Sequence, residues 1–245
     1  MYTIKRVILL TLLFASHAFA MNLEQSQIAC QGVVQRSFSV EDTIFAFDID
    51  EVLLTGREHK IKKWMEGHKE FASKLREFPL DKPMDAVTEK YPELAEQLEE
   101  FKGVVIDALP ILGTIGIVRD LAAGGYPALA ASNMTTSTYL SLIENGKLPT
   151  KYFSKDYFFV NTDPSNKKEN GKFYQKPDVE YYDHLVGYIN KQRNEHHNQP
   201  VKKENVIFID DKIENVEGAK KAGLTAIHFT NPKQLRNELV CLDIL

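Results

Sequence analysis

The chain has 245 residues, 43% of them hydrophobic and 26% charged, with a formal net charge of −4. That composition excludes a disordered or fibrous chain and suits one globular domain carrying at most a modest insertion. The mildly acidic balance lacks the basic footprint of a nucleic-acid binder, so no nucleic acid is expected as a partner and a small molecule is.

Lys5 and Arg6 precede an apolar run from Val7 to Ala15, and Ala18-Phe19-Ala20 supplies a small-x-small cleavage pattern. Residues 1–20 therefore read as a signal peptide, and the mature chain is expected to be exported, either periplasmic or secreted. Removing Lys5 and Arg6 leaves 28 basic groups against 34 acidic ones, a formal charge of −6. Beyond residue 20 no apolar stretch is long enough for a stable membrane span. Cys30 and Cys241 lie near the two ends of the mature chain, where an oxidising compartment would let them close a disulfide.

Thr43 to Ile49 is a β-rich apolar run ending in carboxylates, the pattern of a buried strand. Residues 57–104 are charged, with helical spacing in pieces broken at Pro79, Pro83 and Pro92, and read as an inserted helical unit. A further helix is predicted from Val104 to Ala123, stopped by Gly124-Gly125. Strands follow at Tyr126 to Ala131 and Tyr157 to Val160, then a helix from Asp178 to Asn190 and a polar loop over 191–204. Asn205 to Ile209 is a fourth strand, and Ile213 to Ala222 a helix with Ile213, Val216 and Ala219 on one face. Leu224 to Phe229 is a fifth strand, and a last helix covers 232–242. Strands alternating with helices predict an α/β fold, a Rossmann-like three-layer sandwich with a mainly parallel five-stranded sheet. Such sheets bind ligands at the carboxyl ends of their strands.

Four segments place polar groups at those ends. In FDIDEVLL, residues 47–54, Asp48 and Asp50 stand where the first strand runs out. Two carboxylates that close repel and need a proton or a cation between them, for which a hard ion such as Mg²⁺ is suited. Ser132 and Asn133 follow the small apolar run of the second strand, where a hydroxyl, an amide and free backbone N–H groups can hold a phosphate oxygen. Lys176 precedes Pro177 at the entry of a helix, within reach of a phosphate, with Lys172 as its nearest competitor. In FIDDKIENV, residues 208–216, the adjacent acids Asp210 and Asp211 follow a buried strand, and Asn215 lies one helical turn beyond.

Singly, most of these segments have a structural explanation as turns and helix caps; in this order they resemble the four motifs of haloacid dehalogenase (HAD) superfamily hydrolases. The resemblance spans roughly residues 43–230. It implies a catalytic core of residues 21–56 and 105–245, with 57–104 as a small helical cap that closes over the site. It also implies Asp48 as a nucleophile forming an aspartyl-phosphate, and Asp50 as general acid/base. Ser132, Asn133 and Lys176 would bind the phosphoryl group. Mg²⁺ would be held by Asp48, by the backbone carbonyl of Asp50 and by Asp211, supported by Asp210 and Asn215.

The expected function is thus Mg²⁺-dependent hydrolysis of a small phosphorylated molecule, with a phosphomutase or a silent binding protein as alternatives. Many relatives have Gly-Thr after the second Asp, where this chain has Glu51 and Val52, and Glu51 adds negative charge beside the entrance. The dehalogenase branch lacks the second Asp, so Asp50 points to phosphate chemistry. Trp64, Met65, His68 and Phe71 read as the cap's own apolar seam, and His196-His197 as a solvated loop.

Overall fold

The computed structural model describes residues 37–77, 86–153, 158–160, 167–168 and 171–245. The predicted signal peptide, residues 1–20, and Cys30 lie outside these residues; Cys241, at the end of the last helix, is disulfide-bonded. No described helix is long and apolar enough to cross a membrane.

The core is one parallel sheet of β1 (Ile44–Phe47), β4 (Ala128–Ser132), β5 (Phe158–Val160), β6 (Val206–Asp210) and β7 (Thr225–His228). Their spatial order is β5-β4-β1-β6-β7. The registers Phe45↔Ala128 and Phe47↔Ile209 centre the sheet on β1. All four residues of β1 are buried, because helices cover both faces. Alternate side chains divide accordingly. Phe45, Phe47 and Ile209 pack on one face with Ile117, Leu121, Leu235 and Leu239. Ile44, Ala46 and Phe208 pack on the other with Tyr181, Tyr182, Leu185 and Ile189. The chain runs from β1 outward through β4 to β5, then crosses back to β6 and β7. The order therefore reverses between β1 and β6, and the crevice at that reversal is where open α/β sheets take ligands.

Between β1 and β4 the chain leaves the core through β2 (Leu54–Thr55) and returns through β3 (Leu109–Pro110), an antiparallel pair. The excursion holds α1 (Arg57–Gly67), α2 (Lys69–Arg76), α3 (Ala86–Lys90), a 3₁₀ turn (Pro92–Leu94) and α4 (Ala95–Ile106). It has a core of its own in Phe71, Val87, Leu94, Leu98, Phe101 and Val105. Trp64 stacks on His68 at 3.9 Å and meets Phe71 edge-on at 5.0 Å, so these rings form that seam. Met65 packs against the seam and also lines the cleft below.

Three expectations change. The predicted helix from Val104 to Ala123 is two helices, α4 and α5 (Leu112–Ala123), because Pro110 lacks the N–H that would continue the ladder. The helix from Asp178 is longer than predicted. As α7 (Val179–Glu195) it takes up the start of the supposed loop, because Arg193 is buried and donates to the carbonyls of Gln199 (2.5 Å) and Glu41 (2.6 Å). In α8 (Ile213–Lys221), Val216 and Ala219 are buried but Ile213 is exposed. His196 and His197 are exposed, as expected. Two helices remain to be placed, α6 (Thr136–Glu144) and α9 (Pro232–Cys241), both packed on the sheet face that carries Phe45.

Candidate active site

Asp48 is the first residue after β1, and its N–H donates to the carbonyl of Ile209 at 2.8 Å, tying it to the neighbouring strand. Asp210 ends that strand. These two acids flank the reversal point of the sheet, and an oxygen from each lies within 4.8 Å of one from Asp211.

Lys176 reaches the same point. Its Nζ donates to Asp210 Oδ2 at 2.7 Å and to the carbonyl of Ala131 at 3.3 Å, and contacts Asp48 Oδ1 as an ion pair at 2.8 Å. Burial pulls the lysine down, but Asp48 and Asp210 outweigh it and hold the ammonium above its usual value. The loop that carries Lys176 is fixed twice. Asn133 accepts from the Lys176 N–H at 2.9 Å and donates to its carbonyl at 3.0 Å. Gly218 of α8 packs against the next residue so closely that a Cβ there would sit 2.3 Å from the Pro177 carbonyl oxygen. The Asn133 side chain is thus occupied in positioning the lysine. Ser132, buried at the end of β4, lines the cleft beside Asp48. Lys172 is exposed, away from this cluster.

Asp210 has every need met. Its Oδ1 accepts from the Lys212 N–H and from Asn215 Nδ2, each at 2.9 Å, while Oδ2 takes Lys176. Asp48 and Asp211 differ: Asp48 Oδ1 is buried with the shared Lys176 ammonium as its partner, and Asp211 Oδ1 is buried without a hydrogen bond. Burial, together with the Asp210 charge, pushes Asp48 up to about 7 against the pull of Lys176. Burial and Asp210 likewise push Asp211 up to about 6. Three carboxylates facing one lysine leave an uncompensated charge of about −2 when all are ionised, which a low-dielectric site does not tolerate without a cation. A buried, unpartnered Asp211 oxygen beside that surplus suits a hard divalent ion.

Asp50 brings no carboxylate oxygen to this cluster. Both its oxygens are held by Arg57, through Nε at 2.7 Å and through Nη2. Arg57, 6% exposed, is the first residue of α1, and nothing in the sequence pattern identified it. The next residue, Glu58, pairs with Lys212 at 2.5 Å, and Lys60 pairs with Asp107 at 2.6 Å. The first turn of the cap is therefore fastened to the loop after β1, to the loop after β6 and to its own return strand. His228 was also missed; its Nε2 lies 2.9 Å from the Asp211 carbonyl, steadying that loop. Glu51 lines the cleft beside Asp50, as expected. It adopts φ 57°, the left-handed region that favours glycine, and its carboxylate accepts from Thr55 Oγ1 (2.8 Å) and the Gly56 N–H (3.0 Å).

The Arg57 fork carries an expected result. If Asp50 is the proton donor that the resemblance implies, replacing Arg57 with alanine leaves its carboxyl unpositioned and should cut kcat/KM for an alkyl phosphate by roughly 100-fold. An aryl phosphate with a good leaving group needs less proton donation and should lose far less. Arg57→Lys should recover only part, because an ammonium cannot make the two-point contact. Equal losses on both esters would show that Arg57 acts only on folding.

No protein-family model matches the chain. A sesquiterpene phosphatase from Aspergillus oryzae is 35% identical over 57 residues, 23% of this chain. That match spans about a quarter (24%) of the relative's own length. Solved structures extend further. A HAD hydrolase from Bacillus subtilis bound to magnesium aligns over 85% of this chain and 100% of its own, at 14% identity and a TM-score of 0.51. A HAD-superfamily hydrolase from Ehrlichia chaffeensis aligns over 84% and 100%, at 17% identity and a TM-score of 0.50. A HAD family enzyme from Bacteroides thetaiotaomicron, in complex with magnesium and inorganic phosphate, aligns over 78% and 95%, at 13% identity and a TM-score of 0.52. With its all-parallel β5-β4-β1-β6-β7 sheet and acidic groups gathered at the reversal point, the chain has the fold of the HAD-superfamily hydrolases.

Proposed function

We propose that the chain is an exported, Mg²⁺-dependent phosphomonoesterase that attacks through Asp48. The observation that carries this is the buried surplus of carboxylate at the sheet's reversal point, where one lysine answers both Asp48 and Asp210, Asp211 Oδ1 is unsatisfied, and an acid of the D-x-D pair, Asp50, lines the same cleft. Export rests on the apolar leader and cleavage pattern of residues 1–20.

Asp48, the Asp50 carbonyl and Asp211 would hold the ion, which supplies Lewis acidity at the phosphoryl oxygens and screens the approach of one anion to another. The chain's own groups do the rest. Ser132, the backbone N–H groups after it and Lys176 orient the phosphoryl group. An Asp48 oxygen attacks phosphorus, the ester P–O bond breaks, and Asp50, released from Arg57 and having taken a proton from solvent, delivers that proton to the leaving oxygen. Water then attacks the aspartyl-phosphate, Asp50 takes its proton, and the bond to Asp48 breaks to release phosphate and restore the carboxylate. A group at Asp50 that moves protons serves this chemistry and has no task in carbon–halogen cleavage. The local match to a sesquiterpene phosphatase supports the same reaction class.

The test is hydrolysis of an aryl phosphate by residues 21–245. Activity should be present with Mg²⁺, fall to background with a chelator, and return when Mg²⁺ is restored. Hydrolysis indifferent to chelation would end the metal-dependent reading.

A further inference from the structure

The cleft above Asp48 is large, about 1290 Å³, where sites for small molecules run roughly 300–1,000 Å³. It runs from Asp48, Ser132 and Lys176 along the inner wall formed by α1 and α2 as far as Arg76. We propose that the outer half of this cleft is an anion subsite, so that the substrate carries a second anionic group remote from the phosphate ester. This rests on the reading of the Asp48 end as the phosphate site.

The argument is one of charge placement. Near the floor every cation is answered: Arg57 by Asp50, Lys212 by Glu58, Lys176 by Asp48 and Asp210. Further out, Lys62, Lys69 and Arg76 line the same wall, all exposed, and no described acid pairs with them. They recur every seven residues, two helical turns or about 10 Å of axis per step. The break at His68 between the two helices does not turn any of them out of the cleft. Glu66 is the acid that shares this stretch of wall, which leaves a local excess of positive charge in a protein whose net charge is negative. Between the cations the wall is apolar, at Ile61, Met65 and Ala72. The matching ligand is a phosphate monoester with a hydrocarbon or neutral body and a phosphate or carboxylate at its far end.

Binding tests this without turnover, so the result is separate from the phosphatase assay. In calorimetry with saturating Mg²⁺, linear alkane bisphosphonates of six to ten carbons would be compared with monophosphonates of equal length and with ω-carboxyalkyl phosphonates. The bisphosphonate should bind about tenfold more tightly than the monophosphonate at its best length, with the advantage shrinking as salt rises. A carboxylate tail that matches it identifies a general anion site; one that fails identifies a second phosphate. The Lys69→Ala/Arg76→Ala variant should lose the advantage, whereas Lys63→Ala should keep it, with melting curves confirming that both are folded. Equal binding of charged and uncharged tails by the parent protein would overturn the proposal.

Discussion

Asp48→Asn is expected to lose aryl phosphate hydrolysis by at least about 1,000-fold and, in metal-free buffer at pH 8, to melt at a higher temperature than the parent. The first effect follows from deleting the nucleophile, since an amide cannot form the covalent intermediate. The second follows from burial. Asp48 is 4% exposed and held up at about 7, so its ionised form is disfavoured in the folded chain. For a carboxyl raised in this way, the contribution to stability is intact below the ordinary carboxylate range and is lost as pH climbs through about 7. Above that pH the parent carries a penalty that asparagine lacks, on the order of 4 kcal/mol. At pH 5 the gap should be much smaller than at pH 8, and added Mg²⁺ should stabilise the parent more than the variant. An Asp48→Asn protein that keeps its activity would dismiss the nucleophile; one that is less stable at pH 8 would dismiss the account of the site's charge.

Lys176→Met is expected to act on stability in the opposite direction. Its side chain is 2% exposed and is the cation shared by Asp48 and Asp210. Removing one partner of a buried ion pair costs about 3–5 kcal/mol, because the charges left behind stay desolvated. Urea unfolding should show that loss at pH 8. It should shrink near pH 5, where the stranded carboxylates can take up protons in place of the ammonium. Hydrolysis should fall as well, for want of a positive group beside the phosphoryl oxygens. If the variant unfolds with the parent at both pH values, Lys176 does not balance the acids.

The order of strands and helices was legible because apolar runs of four or five residues, each ending in a polar cluster, can hardly be anything but buried parallel strands. Asp48, Asp210 and Asp211 were legible for the same reason: an acid at the end of such a run must find a partner. What sequence could not supply was which acid faces which group. Asp210 and Asp211 are adjacent, yet one is satisfied by three donors and the other has a bare oxygen, a difference set by the turn into α8. Arg57 was hidden because its link to Asp50 spans seven residues through a turn, a spacing that belongs to no regular element. Glu51 shows the reverse case. Its left-handed backbone explains why glycine suits that position, and the two hydrogen bonds its side chain makes at the hinge offset the strain of roughly 1–2 kcal/mol.

The fastening of the first cap turn sets how the doorway responds to its surroundings. Glu58–Lys212 and Lys60–Asp107 are largely wet and yield to dissolved ions, whereas Arg57–Asp50 is shielded and holds. Exported, as proposed above, the chain would meet whatever salinity lies outside the cell. Two of the three bolts on this door would therefore be drawn by brine and the last only by an arriving ligand, so the cap keeps guard over the acid even where the medium has loosened its outer edge.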